Sequence, residues 1–507
     1  MSQLKKGAAL SYIQIFLTNV IGLVLTPFII RSLGDSEFGL YTLIGSFIAY
    51  FSLMDLGLNN TIIRFVAKYR AENDKEGEEN FLAIINLIYL GISFVVVVLG
   101  VIGYYNLENI FKESLTSQEL EKAKVMFVIL IFNVAITLPG GAFVAICSGY
   151  EKFVFPKIAS IIRYVIRSIA LTVLLFLDGD SVSIVILDTV INIVFIGVFA
   201  IFVFNKMKVR FKLHAFNYNL ILEVFSYSIW VLTFAVFNKF QWQSGQLILG
   251  ILKDTTTVAI YGVGIMLGTY YGAFASAISS LLLPKATKMF YDGSSIYDLN
   301  EMLIKVGRYI LLILFFILGG FILLGQQFVS LWLGDNYIDS WLIALLIMIV
   351  ITIPLTQSFA NNILEASKKL KIKVLTAFFS MILGVAFGVF LGKEYSSLGM
   401  IIGILSGRIL YEIILNVYYV KILKFDIFNF IKRVFFKNVI GFIVVLLLGV
   451  LINKIGGAGW LNFILKGVLY ALIYMAIFYK FMMLNEEKLL IKNFILIKRN
   501  KIGANEN

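Results

Sequence analysis

The chain reads as an all-α integral membrane protein of about fourteen transmembrane helices, and three observations carry that reading. Its 507 residues are 60% hydrophobic with a mean hydropathy of +0.93, far above the apolar share of a soluble domain. Apolar spans of roughly 18 to 30 residues, enough to cross a ~30 Å hydrocarbon core, recur along its whole length. The loops between them are short, the longest outer one running from Tyr105 to Lys124, so a helix bundle must do the work.

In chain order the spans fall near 8–30, 38–58, 81–104, 125–148, 157–177, 182–204, 221–250, 257–283, 304–325, 339–361, 372–392, 398–420, 437–453 and 460–483. The first is too long for a signal-peptide core, lacks a small-x-small cleavage site and continues into the next apolar segment, so it is read as a membrane helix. Basic residues set the orientation. The two termini and the loops after even-numbered spans hold about 31 Lys and Arg against about 7 in the other loops, which predicts cytoplasmic termini. The runs Lys206 to Lys212, Lys368 to Lys373 and Lys421 to Lys437 belong to this inner face, with attraction to anionic membrane lipids as a secondary role. The net charge of +13 has the same origin, which argues against nucleic acid as a partner. One cysteine, Cys147, excludes an internal disulfide, and one histidine, His214, excludes a His-based metal site. No cofactor or metal is expected, and proton chemistry must run through carboxylates.

Internal similarity predicts a duplication. Phe38-Gly39-Leu40-Tyr41 after Leu33-Gly34-Asp35 matches Val258-Ala259-Ile260-Tyr261 after Leu252-Lys253-Asp254, and the same offset of about 220 places Lys68 on Lys288. Ile136-Thr137-Leu138-Pro139 matches Ile351-Thr352-Ile353-Pro354 at an offset of about 215. Six helices per repeat make the halves parallel. The expected organisation is two six-helix lobes, residues 1–215 and 216–424, around a central cavity, with two further helices and a cytoplasmic tail in 425–507.

Arg31-Ser32-Leu33-Gly34-Asp35-Ser36-Glu37-Phe38-Gly39-Leu40-Tyr41, followed by Asp55-Leu56-Gly57-Leu58-Asn59-Asn60 and Thr61-Ile62-Ile63-Arg64-Phe65, resembles the N-terminal signature of the Wzx-type polysaccharide and O-antigen flippases. Phe225-Ser226, Leu283-Pro284-Lys285 and Leu333-Gly334-Asp335-Asn336-Tyr337 agree, so the resemblance spans about residues 10 to 420. That family belongs to the multidrug, oligosaccharidyl-lipid and polysaccharide exporter superfamily. The resemblance implies a transporter rather than an enzyme, set in the bacterial cytoplasmic membrane, whose two lobes rock in alternating access. It also implies a cargo, a glycan linked through pyrophosphate to undecaprenol, destined for O-antigen, capsule or a similar polymer, and polysaccharide polymerase machinery as a partner. Helix 7 departs from the pattern: many relatives carry an acidic residue where this chain has Gln241-Trp242-Gln243-Ser244.

A sugar-pyrophosphate headgroup cannot cross hydrocarbon unsolvated, so the residues to seek are cations at membrane depth. Arg163 and Arg167, four apart, share one face of helix 5, and their guanidinium forks suit phosphate oxygens. The competing reading has Arg163 snorkel to the inner interface and Arg167 pair with Asp188. Lys239 lies among Asn238, Gln241, Gln243 and Gln246, and its first-half counterpart is Asn19; it either faces the cavity or ends helix 7 in outer water. Arg408 and Glu412, one turn apart on helix 12, are a gate or a structural pair. Asp188, with Asn192 one turn on, is a candidate ion-coupling site unless it is held by Arg167.

Asp55 and Arg64 at the inner end of helix 2, and Arg31 and Asp35 at the outer end of helix 1, are read first as helix caps and loop bridges and second as gating groups. Glu365, Asn361 and Asn362 are read as interfacial, and Pro139 and Pro354 as matched helix kinks. Three other functions compete with polysaccharide flipping. A lipid II flippase suits the same helices and basic cavity. A multidrug or cation exporter calls for an acidic or apolar cavity. A polytopic polysaccharide polymerase needs a large external loop or a cytoplasmic domain, and no DxD-like pair or Gly-rich phosphate loop stands in a suitable place.

Overall fold

The computed structural model describes residues 3–216, 233, 236–237, 239–367, 371–485 and 487–488, and the regular structure among them is helical. Twelve stretches of the described residues are long and apolar enough to span a membrane. One of these, Lys371–Leu423, holds both expected spans 372–392 and 398–420, separated by a break at Tyr395 and Ser396. Half of the expected span 221–250 lies outside the described residues, which show its last part as a helix. The protein is therefore the multi-pass all-helical membrane protein that composition and span length predict. Large apolar side chains such as Phe94, Phe176 and Leu461 stay exposed, as lipid rather than water permits.

The helices are α1 Gln3–Leu33, α2 Asp35–Phe51, α3 Leu58–Ala71, α4 Lys75–Phe111, α5 Ser117–Gly149, α6 Val154–Phe176 and α7 Ser181–Ile201. After α8, residues 239–252, come α9 Thr255–Tyr291, α10 Ile296–Leu333, α11 Ile338–Thr356 and α12 Ser358–Ala366. The broken α13 spans Lys371–Leu423, and α14 Ile427–Ile431, α15 Lys437–Asn453 and α16 Gly459–Ile477 follow it. Local chemistry sets many of these ends. Gly34 lets the chain turn from α1 into α2 within one residue because its φ of 81° costs glycine little. Thr116 and Glu119 form a reciprocal capping box on α5. Asp74, Asp180 and Ser295 cap α4, α7 and α10 by accepting the first free backbone N–H groups. Pro139 sits inside an uninterrupted α5, whereas Pro354 lies in the last turn of α11, just before the chain breaks at Gln357.

Two compact units emerge, one of residues 1–266 and 369–411, the other of 267–368 and 412–507. In the first unit α4 packs on α5 and α5 on α7, with Phe65 stacked on Phe81. The two arms of α13 meet there through glycines: Gly384 and Gly388 before the break lie against Gly407 and Gly403 after it, backbone on backbone. In the second unit α10 is the hub for α11, α15 and α16. Phe315 stacks on Phe442 at 4.3 Å between ring centroids, and Tyr470 and Tyr474 donate to the carbonyls of Phe316 and Leu312 at 2.7 and 2.5 Å. These hydroxyls find partners on a neighbouring helix, which is what a tyrosine in a membrane interior needs.

Candidate functional site

Arg167 and Asp188 face each other from α6 and α7. Arg167 Nε donates to Asp188 Oδ1 at 2.6 Å and Nη2 to Oδ2 at 2.8 Å, a fork-on-carboxylate pair about three-quarters shielded from solvent. Tyr41 of α2 adds its hydroxyl to Oδ2 at 3.5 Å. One turn before Arg167, Arg163 is half-buried near the middle of α6. It makes no hydrogen bond or ion pair with any described residue, and its electrostatic neighbours are Asp188 and Arg167. The four-residue spacing thus yields one guanidinium paired with Asp188 and one without a hydrogen-bonding partner among the described residues. One turn beyond Asp188, buried Asn192 donates to both Asn133 and Thr137 of α5 at 2.6 Å. Asp188→Asn is expected to destabilise the protein by about 1–3 kcal/mol, because Arg167 keeps an acceptor but loses its counter-charge. A double-mutant cycle with Arg167→Gln, read by thermal unfolding, checks that the loss is shared by the pair.

Lys239 opens the described part of α8 and donates to Ser52 Oγ at 2.7 Å. Next to it Phe240 meets Tyr50 of α2 edge-on, centroids 5.0 Å apart. Gln241 and Ser244 follow on α8 and are buried. Asn238 lies outside the described residues, as do Phe225 and Ser226 and the cluster residues Lys368 and Lys369.

The remaining candidates take distinct places. Asp55 Oδ1 accepts from the Tyr89 hydroxyl at 2.8 Å and from Asn59 Nδ2 at 2.9 Å, joining the turn after α2 to α3 and α4. Arg31 and Arg64 are exposed. Arg408 lies over the Tyr411 ring at 5.1 Å. Glu412, one turn along α13, is buried, and its carbonyl accepts from Asn416, whose own side-chain carbonyl accepts from Gln357 at 2.7 Å. Glu365 is exposed and accepts from Asn361 at 3.0 Å, while Asn362 is buried. No group of three or more His, Cys, Asp or Glu residues gathers at one point among the described residues.

Carboxylates gather at the α1–α2 turn, where reasoning from buried cations gives no sign of them. Glu37 Oε1 accepts from Lys122 Nζ at 2.8 Å and from the backbone N–H and hydroxyl of Ser181 at 2.9 and 2.8 Å. Glu119 accepts from Ser36 at 2.5 Å and Thr255 at 2.9 Å. The Ser36-Glu37 pair therefore ties together the starts of α5, α7 and α9, beside a cavity of about 390 Å³ lined by Gly34, Asp35, Glu37, Gln118, Glu119 and Lys122. Burial pushes the nearby Asp180 carboxyl up, but the Ser183 N–H and hydroxyl together with Lys122 outweigh it and hold it below the usual carboxylate range. Gly39 explains its place in the same segment, since any side chain there would overlap the Thr255 backbone carbonyl. Two sequence features point to this cluster, the Ser36-Glu37 pair inside the signature segment and the Thr116-x-x-Glu119 capping-box pattern.

Residues 4–290 match the profile of a family described as polysaccharide biosynthesis protein. The chain belongs to this family. A relative from Shigella flexneri, described as "Putative O-antigen transporter", is 22% identical over 382 residues, covering 73% of this chain and 87% of that one. Among solved structures, a lipid II flippase MurJ in an inward closed conformation superposes with a TM-score of 0.70 at 20% identity, covering 92% of this chain and 98% of that one. An inward-facing multidrug resistance MATE transporter of the MOP superfamily gives 0.60 at 13% identity, covering 80% and 93%. At these identities the structural likeness is one of fold. The family match takes in the signature segment, Arg163, Arg167, Asp188 and Lys239, and ends within α9. Polysaccharide-family membership and a fold shared with transporters agree with the resemblance drawn from Arg31 to Phe65.

Proposed function

We propose that this member of the polysaccharide biosynthesis family is a flippase that carries undecaprenyl-pyrophosphate-linked oligosaccharide from the cytoplasmic to the outer leaflet. The observation that carries the reading is the half-buried Arg163, which has no hydrogen-bond or ion-pair partner among the described residues and stands one turn from the Arg167–Asp188 pair. A guanidinium at membrane depth is costly to maintain and marks an anion path. Pyrophosphate oxygens supply the bidentate acceptors that Arg163 lacks, and a second anion at Arg167 competes with Asp188 for the same fork. In this reading the lobes 1–215 and 216–424 rock about a central cavity, both termini are cytoplasmic, and Lys239 and Arg408 add positive charge along the path. Asp188 and Glu412 then act as internal counter-charges that the headgroup displaces. The polyprenyl tail stays in lipid while the sugar crosses in a hydrated groove.

The test is translocation of an undecaprenyl-pyrophosphate-linked oligosaccharide in proteoliposomes. Arg163→Ala is expected to lower the rate at least about tenfold, one lost charged hydrogen-bonding group at a phosphate, with Tm little changed because no protein partner is abandoned. Arg163→Lys keeps the charge but not the fork and is expected to fall between. Full activity of folded Arg163→Ala would exclude this arginine from the headgroup path. Transport of organic cations but not of the lipid-linked glycan by the wild type would move the assignment to the drug-exporter branch of the fold.

A further inference from the structure

Among the described residues of the first unit, three hydroxyls are buried without a hydrogen-bond partner: Tyr50 on α2, Ser244 on α8 and Tyr261 on α9. Tyr261 is 0% exposed and Ser244 2%. They belong to one seam. A Cβ on Gly245, the neighbour of Ser244, would overlap the Tyr261 hydroxyl, and Tyr50 meets Phe240 of the same helix α8 with ring centroids 5.0 Å apart. Glycines let the three helices close tightly: Gly250 takes Leu43 of α2 against its face, and Gly262 of α9 lies against Gln246 of α8. Phe, Ala and Phe fill the same volume with no polar atom to bury, and each orphaned hydroxyl costs about 1–3 kcal/mol. Three in one seam call for a ligand that satisfies them.

The surrounding chemistry selects that ligand. At the edge of the seam lie the Tyr50–Phe240 ring pair, the buried amide of Gln241 and the Lys239–Ser52 contact. None of these groups is a carboxylate and Lys239 brings a positive charge, so a cation is disfavoured. Hydroxyls and amides that both donate and accept, beside flat aromatic faces, match a neutral polyhydroxylated ring, whose C–H faces lie on aromatics and whose hydroxyls pair in either sense. We infer that Tyr50, Ser244 and Tyr261 form a saccharide-hydroxyl subsite, shut in this structure between α2, α8 and α9, which opens to the glycan during translocation. This inference rests on the reading that the cargo carries a saccharide.

Full-length Tyr50→Phe, Ser244→Ala and Tyr261→Phe test it through two readouts. The first is Tm in detergent, where removing an orphaned hydroxyl is expected to leave Tm unchanged or raise it. The second is the ratio of affinities for undecaprenyl-pyrophosphate-linked oligosaccharide and for undecaprenyl pyrophosphate alone. The wild type is expected to favour the glycosylated lipid, and each variant to lose at least about fivefold of that preference. A lowered Tm in the Tyr261→Phe and Ser244→Ala proteins would give the hydroxyls a structural partner and overturn the subsite. An unchanged preference at unchanged Tm overturns it equally, while leaving the flippase reading in place. If the wild type binds and moves neither lipid, the flippase reading itself fails and the subsite falls with it.

Discussion

Replacing Glu487 by alanine is expected to destabilise the protein by about 3–5 kcal/mol, the cost of leaving a buried arginine without its counter-charge. Arg308 of α10 donates from Nε to Glu487 Oε1 at 2.8 Å and from Nη2 to Oε2 at 3.0 Å, with the two side chains only 4% and 7% exposed. The guanidinium also reaches the carbonyls of Met482 at 2.9 Å and Arg433 at 3.3 Å, and the Leu484 N–H donates to Glu487 at 2.7 Å. Arg433 in turn forks onto Glu301 of α10, so one ionic cluster fastens the start of α10 to the segment that follows α16. It borders a cavity of about 570 Å³. Because much of the loss is the penalty of an abandoned charge, the double variant Arg308→Met with Glu487→Leu is expected to recover most of it. Thermal unfolding in detergent decides the matter: a shift for Glu487→Ala no larger than for an exposed pair such as Lys124–Glu108 would show that water reaches Arg308 freely.

Gly403→Val is expected to be as damaging, at least about 3 kcal/mol and at the upper end of overpacking costs, because nothing nearby can give way. A Cβ at Gly403 would overlap the Cα and N of Gly388, and one at Gly407 would overlap the Ser380 carbonyl and Gly384 Cα. These obstacles are backbone atoms of the other arm of α13, so relief requires the arms to separate. Separation loses the contacts that hold an interhelical interface together in lipid, where close packing rather than water exclusion drives association. Gly392 is the internal control. A Cβ there meets only Met400 atoms at 3.6 Å or more, an ordinary contact with an adaptable side chain, so Gly392→Ala is expected to leave Tm nearly unchanged. Equal tolerance of Gly403→Val and Gly392→Ala, in expression and in unfolding, would show that the two arms are not locked together.

The amino-acid sequence by itself determined the class and the family. Span length and hydropathy follow from the thickness of the hydrocarbon core, and the obligation of every backbone group in lipid to find a partner leaves helices as the answer, so the long helices among α1 to α7 and α9 to α16 fall where apolar runs predict them. The segment from Arg31 to Phe65 resembled polysaccharide flippases for reasons the structure makes physical: a positive-φ turn at Gly34, a carboxylate at Glu37 that ties α5 and α7 together, and a bare glycine at Gly39 against Thr255. Only the tertiary structure decided which charges are spoken for. Arg163 and Arg167 look alike in a helical repeat, yet Asp188 comes from another helix and pairs with Arg167, while Arg163 has no hydrogen-bond or ion-pair partner among the described residues. The Arg308–Glu487 pair, 179 residues apart, and the orphaned hydroxyls of Tyr50, Ser244 and Tyr261 were equally illegible. Periodicity places a polar group on a face of its own helix; whether that group is paired depends on what another helix brings within about 3 Å, and that distance is set by packing.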